Sequence, residues 1–236
     1  MQKIRLSSRS KARLAGVFEL LEGGSAAFGQ VAVMGQLVVS GAAAATATNI
    51  LSHQSLIWLG FALAILGVIF HLAWAFLMYE LLKIVNKSVA LFSVFVVLAC
   101  CAMQAVTTLF YLAPLMILQG GAGLSGFAPA ESQALAYAFV KLSNSAFDID
   151  LVLFGLWCVL TGYLIVRSTF LPRIFGILLI IDGLGWMLYL HPPLAIGMFT
   201  IIASASALAE IPLPLWLIIF GLNEERWNAQ KNATQP

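Results

Sequence analysis

Charge is scarce in this sequence. Asp, Glu, Lys and Arg make up only 9% of its 236 residues, against about 25% in a soluble domain. Hydrophobic residues reach 61%, where soluble chains carry about 45–50%. A water-soluble fold is excluded on both counts. Cysteine is sparse as well: Cys100, Cys101 and Cys158 all fall inside apolar runs. Their odd number builds no disulfide framework, and their spacing matches no metal site, so they read as small packing residues. HExxH, GxSxG, P-loop and paired-cysteine patterns are missing too. Nothing therefore marks an enzyme, a cofactor or a metal centre, and no nucleic-acid signature is visible.

What the chain does have is long apolar runs, several beyond the roughly 18 residues that mark a membrane-spanning helix. Six can be read: about 14–39, 55–82, 88–118, 132–167, the stretch from Pro172-Arg173 to the "HPP" at 191–193, and about 197–222. The expected fold is all-α, a polytopic bundle of six transmembrane helices. It divides into a basic N-terminal segment (1–13), the membrane domain (14–222) and a C-terminal tail (223–236). The Ala-rich loop "SGAAAATATNILSHQ" is too short to span and is expected to form a short helix on the outer surface. A cleaved signal ending near Gly41-Ala42-Ala43 fits poorly. Its apolar region would run from Leu14 to Val39, beyond the roughly 7–15 residues such signals use, and would hold Glu19 and Glu22.

The loops give the orientation. Lys3, Arg5, Arg9, Lys11 and Arg13 precede the first run; Lys83 and Lys87 separate runs two and three; Arg167 and Arg173 separate four and five; Arg226 and Lys231 follow six. The other three loops (40–54, 119–132 and 191–196) have no Lys or Arg, and only Lys141 breaks the pattern. The positive-inside rule then places both termini in the cytoplasm, with the basic N-terminus facing anionic lipid headgroups.

Polar residues inside the runs are the candidate site. A core of about 30 Å takes roughly 20 helical residues, and the fourth run is much longer. Counted back from Arg167, Asp148 and Asp150 fall near the outer boundary, with Lys141 and Asn144 above it. The two aspartates are about 200° apart around a helix and cannot share a face. Asp148 falls in a stripe with Lys141, Asn144, Gly155 and Gly162; Asp150 falls with Ser143, Phe154 and Trp157. His71, Asp182 and Glu210 count closer to the membrane centre, where an ionised carboxylate costs roughly 2.5–3.5 kcal/mol against lipid. They should face the bundle interior. Pro212 and Pro214 follow Glu210, so the carbonyls of Leu208 and Glu210 lose their usual helical donors. Interrupted helices of this kind hold ions and substrates in transporters, although prolines also simply kink helices. In the first run Glu19 and Glu22 share a face, and Gly16, Gly23, Gly24 and Gly29 would let a neighbouring helix approach closely.

Three stretches carry a resemblance: "ARLAG" (12–16), "FGLWCVLTGYLIVRSTFLPRIFG" (154–176) and "AEIPLPLWLIIFGLNEERW" (209–227). They resemble a bacterial family of membrane proteins known as domain of unknown function 4386, over nearly the whole chain. The most specific part is "GYLIxRSxFLPRxxG". The resemblance implies a small multi-span protein of the bacterial inner membrane and supplies no activity. Matching positions fall at Arg13, Tyr79, Asn86, Asp148, Arg167, Pro172, Arg173, Glu210 and Trp227. The family often has an acidic residue where His71 stands, and histidines where Ser143 and Trp157 stand. A metal or proton site built on those histidines is therefore not expected here.

Two functions compete. One is binding or transport of a small molecule, cation or proton through an outward-opening polar cavity between spans two, four, five and six. Its residues would be Asp148, Asp150, Asp182, Glu210 and His71, supported by Asn144, Lys141, Trp157 and Glu22. Six short spans make a small transporter, which would need to form a homodimer. The other is a membrane-assembly or regulatory subunit whose polar residues only hold helices together. Topology is directly testable: single cysteines at Gly123 and Asn232 should label from opposite sides of the membrane. Labelling of both from the same side would refute the assignment.

Overall fold

A computed structural model describes residues 6–120 and 126–234. Lys3, Arg5 and part of the Gly-rich loop (121–125) lie outside the described residues. The described chain is helical, with no strand among the described residues. The helices are α1 (Ser8–Ala27), α2 (Ala43–Ser52), α3 (Gln54–Leu82), α4 (Lys87–Leu118), α5 (Pro129–Arg167) and α6 (Arg173–Trp186). They continue with α7 (Pro192–Gly197), α8 (Phe199–Glu210), α9 (Pro212–Ile219) and α10 (Glu224–Thr234). Among the described residues, five segments are long and apolar enough to cross a membrane: Gln54–Leu82, Lys87–Leu118, Pro129–Arg167, Arg173–Leu190 and Phe199–Ile219. This is a multi-pass membrane protein. The first expected span is helical but stands outside that set. It is α1, extended by a π-helical stretch (Phe28–Met34) and one further turn (Gly35–Leu37), and it carries Glu19 and Glu22. The expected short helix after it is α2.

Helix ends follow local chemistry. Asn86 starts α4 by accepting the Val89 N–H at its side-chain oxygen, 3.1 Å away, a capping bond that satisfies a first-turn donor. At the start of α5, Glu131 accepts the Ala128 N–H at 2.8 Å. Pro172 precedes α6, and Pro192 and Pro212 open α7 and α9, where no helical N–H is needed. The sixth expected span is thus two helices, broken at Ile211.

The chain folds as two compact units: Met1–Leu21, Phe70–Cys101 and Ile149–Pro236 form unit 1, and Glu22–Ile69 with Ala102–Asp148 form unit 2. The core of unit 2 gathers Val33, Met34, Leu37, Ile50, Ile57, Tyr111, Leu112, Leu115 and Val140. Gly60 lets the Tyr111 ring pass so closely that a β-carbon would overlap the phenol oxygen. Asn49 donates to the Leu37 carbonyl at 3.1 Å, fixing α2 to the end of the preceding helical segment.

In unit 1, α5 and α6 run antiparallel with their backbones in contact at two glycine pairs. A β-carbon on Gly155 would stand 2.5 Å from the Gly183 carbonyl oxygen, and one on Gly162 2.6 Å from that of Gly176. Gly16 of α1 meets the Pro214 carbonyl oxygen of α9 in the same way, at 2.6 Å. Gly23 and Gly24 do not play this part: nothing lies within 4 Å of where their β-carbons would be. That corrects the expectation of a close approach along all four glycines of the first expected span. Lipid tails are as apolar as leucine, so helix association in a membrane relies on such close packing.

One end of unit 1 is held by polar bonds between distant parts of the chain. Lys11 pairs with Glu80 at 3.0 Å, and Lys83 holds the other oxygen of the same carboxylate. Glu224 accepts the Arg9 N–H at 3.0 Å and the Ser8 hydroxyl at 3.2 Å. The Trp227 indole donates to the Leu81 carbonyl at 3.0 Å, and the Asn223 N–H to that of Phe170 at 3.2 Å. Both terminal segments and the turns after α3 and α5 meet there. The Arg9 N–H, the Ser7 and Ser8 hydroxyls and the Arg9 charge hold the Glu224 carboxyl below its usual range.

Two outcomes follow. Gly183→Ala should cost about 1–3 kcal/mol by overpacking, whereas Gly24→Ala should change stability by no more than about 1 kcal/mol. Melting in one detergent compares them, and equal melting temperatures would contradict the glycine contact. Because the folded Glu224 carboxyl titrates below its unfolded value, its contribution is complete above the unfolded value and fades as pH falls through the folded one. Melting temperature should therefore drop more steeply with acid in the native protein than in Glu224→Gln.

Candidate functional site

Asp182 lies on α6 one residue from Gly183, where that helix touches α5. It is 0% exposed. Neither of its carboxylate oxygens has a hydrogen-bond partner. Around it stand the Glu210 carboxyl, the Cys158 thiol and the Ser206 hydroxyl. Helix geometry explains the set. Cys158 comes from α5 beside the Gly183 contact, its β-carbon 2.9 Å from where a Gly183 β-carbon would be. Ser206 and Glu210 come from α8, four residues and about one turn apart, on the helix that packs on α6.

Glu210 ends α8 just before the break at Ile211. Its Oε1 accepts two bonds, from the Trp186 indole N–H at 3.0 Å and from the Ser206 hydroxyl at 2.6 Å. Trp186 is one turn beyond Asp182 on α6, so one helix supplies both the donor to Glu210 and the second carboxyl. Pro212 and Pro214 carry no N–H, which leaves the Leu208 and Glu210 carbonyls without their usual helical donors at the same level.

Further acidic side chains are buried in unit 1. Glu19 is 8% exposed and Asp150 4%. Glu19, Asp182 and Glu210 all act electrostatically on the Cys158 thiol, which places Glu19 in the same neighbourhood. No Lys or Arg is buried among the described residues. His71 is fully buried beside Trp74, with ring centroids 5.4 Å apart, and Trp74 in turn packs on Trp157 at 4.2 Å. Among the described residues, no three His, Cys, Asp or Glu side chains converge as a metal ion would require.

Residues 14–221 match a family model described as Domain of unknown function (DUF4386). The chain belongs to that family. No curated protein and no solved structure matches it. In this DUF4386 chain the sequence-derived residues separate into two groups. Asp150, Asp182, Glu210, His71 and Trp157 belong to unit 1. Asp148, Asn144, Lys141 and Glu22 belong to unit 2. There Asp148 and Glu22 are partly exposed, Asn144 is exposed, and Lys141 lies over the Tyr137 ring at 5.3 Å. Asp182 and Glu210 come together as an immediate pair. Sequence reasoning missed Trp186 and Ser206, and it read Cys158 as packing alone. The signal was present: Trp186 follows Asp182, and Ser206 precedes Glu210, each by four residues.

Proposed function

We propose that this DUF4386 protein is a six-span protein of the bacterial cytoplasmic membrane, with both termini inside, that binds a proton or small monovalent cation at the Asp182–Glu210 pair. The single observation that carries the reading is Asp182 itself, fully buried, with neither oxygen hydrogen-bonded, facing a second carboxyl. Two facing carboxylates repel strongly in a poorly solvated site, and a proton or cation between them removes the repulsion. No buried lysine or arginine among the described residues supplies the missing charge. Both donors to Glu210 land on Oε1, so these bonds leave Oε2 uncommitted. The carbonyls released by Pro212 and Pro214 add neutral oxygens at the same level, the chemistry that coordinates cations in broken helices. Topologically, the polar bonds joining both terminal segments to the turns after α3 and α5 favour one shared face for all of them. The basic residues concentrate there. Transport of the bound ion through an outward-opening cavity, by a homodimer, is the extended form of this reading.

One observation favours the alternative of a structural subunit. The Trp186–Glu210 bond ties α6 to α8, as an assembly contact would. The variant Glu210→Gln separates the two, because an amide keeps the shape and hydrogen-bonding capacity but cannot titrate. For a binding site, purified Glu210→Gln keeps its melting temperature. It loses the pH- or sodium-dependent emission of Trp186, assigned by difference from Trp186→Phe, and Asp182→Asn does the same. For a structural contact, Glu210→Gln keeps its pH response but melts lower by about 1 kcal/mol equivalent, because a neutral amide is the weaker acceptor for the Trp186 N–H and the Ser206 hydroxyl. That second result would sink the binding proposal.

A further inference from the structure

Where α9 ends, unit 1 has a second polar feature unrelated to the carboxyl pair. A pocket of about 470 Å³ lies among the start of α1, the turn between α5 and α6, and the α9–α10 link. That volume falls within the roughly 300–1,000 Å³ of small-molecule sites. Arg9 and Arg226 are the charged residues in its wall, and no carboxylate lines it. Both side chains are exposed, and no ion pair engages either guanidinium among the described residues. The rest of the wall is largely apolar, including Trp216 and Phe220 at the end of the last membrane helix.

The pocket is shaped around Arg9. Gly221 has a φ of 69° and closes α9. Arg9 Cγ lies 2.7 Å from where a Gly221 β-carbon would stand, so only glycine lets this side chain cross the link. The Arg9 N–H is fixed by Glu224 at 3.0 Å. Opposite, Asn223 uses its side-chain oxygen to accept the Arg226 N–H at 3.0 Å, which leaves its NH2 group for a ligand. Thr169 is already committed: its N–H and hydroxyl both donate to Gln230 at 2.9 Å. The neighbouring Arg13 is also committed, donating to the Ile219 carbonyl at 3.2 Å. The donors left over are two guanidinium forks and an amide, beside an aromatic wall at the end of a membrane helix.

We propose that this pocket binds a phosphate ester, with the Arg9 and Arg226 guanidiniums on its oxygens and its organic part against Trp216 and Phe220. Planar guanidinium forks match phosphate oxygens two at a time, and a wall of this kind suits the glycerol and first methylenes of an anionic lipid. A soluble phosphate ester offers the same head group.

The test uses the full purified chain and Trp216 emission, assigned by difference from Trp216→Phe. One arm places it in phosphatidylcholine nanodiscs with increasing phosphatidylglycerol; the other adds glycerol 3-phosphate in zwitterionic detergent. A saturable response is expected, with Arg9→Gln and Arg226→Gln each weakening it about tenfold, as loss of one charge-assisted pair does. Arg226→Lys, which keeps charge but not the fork, should fall between. Arg173→Gln lies outside the pocket and should leave the response unchanged. A response to the lipid alone assigns a lipid headgroup, and a response to glycerol 3-phosphate assigns a soluble ester. Absence of any saturable response, or an equal loss in Arg173→Gln, overturns the site in favour of a diffuse surface charge. Unchanged melting of the glutamine variants guards against loss of fold, and Gly221→Ala, which displaces the Arg9 side chain, should reproduce the Arg9→Gln loss.

Discussion

The position of Asp182 depends on backbone contact between α5 and α6. Gly155 against Gly183 and Gly162 against Gly176 bring the two helices closer than any side chain would allow. The spacing of seven residues on each helix repeats the contact after two turns, so one register satisfies both pairs. That register fixes Cys158 beside Asp182. With α6 seated on α8, it also sets Asp182 against Glu210 and Trp186 within reach of the same carboxyl. A shift of one residue in either helix would separate the glycines and rotate Asp182 away from its neighbours.

The interior this produces is acidic. Glu19, Asp150 and Asp182 are buried and Glu210 is partly so, while no lysine or arginine among the described residues is buried. Such an arrangement in an apolar surround is costly unless protons, cations or well-aimed donors offset it. Donors account for one oxygen of Glu210. Asp182 has none, and that difference within one pair is what the binding proposal rests on.

Helix positions were readable from hydropathy because each apolar run is bounded by chemistry that ends a helix. Asn86 caps α4, Pro172 precedes α6, and the basic turns fall where α3 and α5 stop. The π-helical stretch at Phe28–Met34 was not readable, since its residues pattern like any other apolar helix. Pro212 and Pro214 announced a disturbance, although only the structure resolves it into two helices parted at Ile211. The site was half legible. Asp182 and Glu210 stood out as carboxyls in apolar runs, but pairing them needs the register between α6 and α8, which no single helix encodes. Gly155 and Gly162 were visible as a stripe, yet their partners on α6 were not, because contact across helices leaves no local period. Asp148 and Asp182 are alike in type, yet they belong to different units.

The hydrogen bond from Ser8 to Glu224 joins residues 216 positions apart, nearly the whole chain. During synthesis the start of α1 therefore waits for every later helix before it finds this partner. Closure that distant in sequence comes late, because the loop entropy is lost before the contact forms. Until then Arg9 has no fixed N–H, and the wall it supplies beside Gly221 is unmade. The proposed phosphate pocket thus forms only once α10 is in place, and its occupation would report that α10 has arrived.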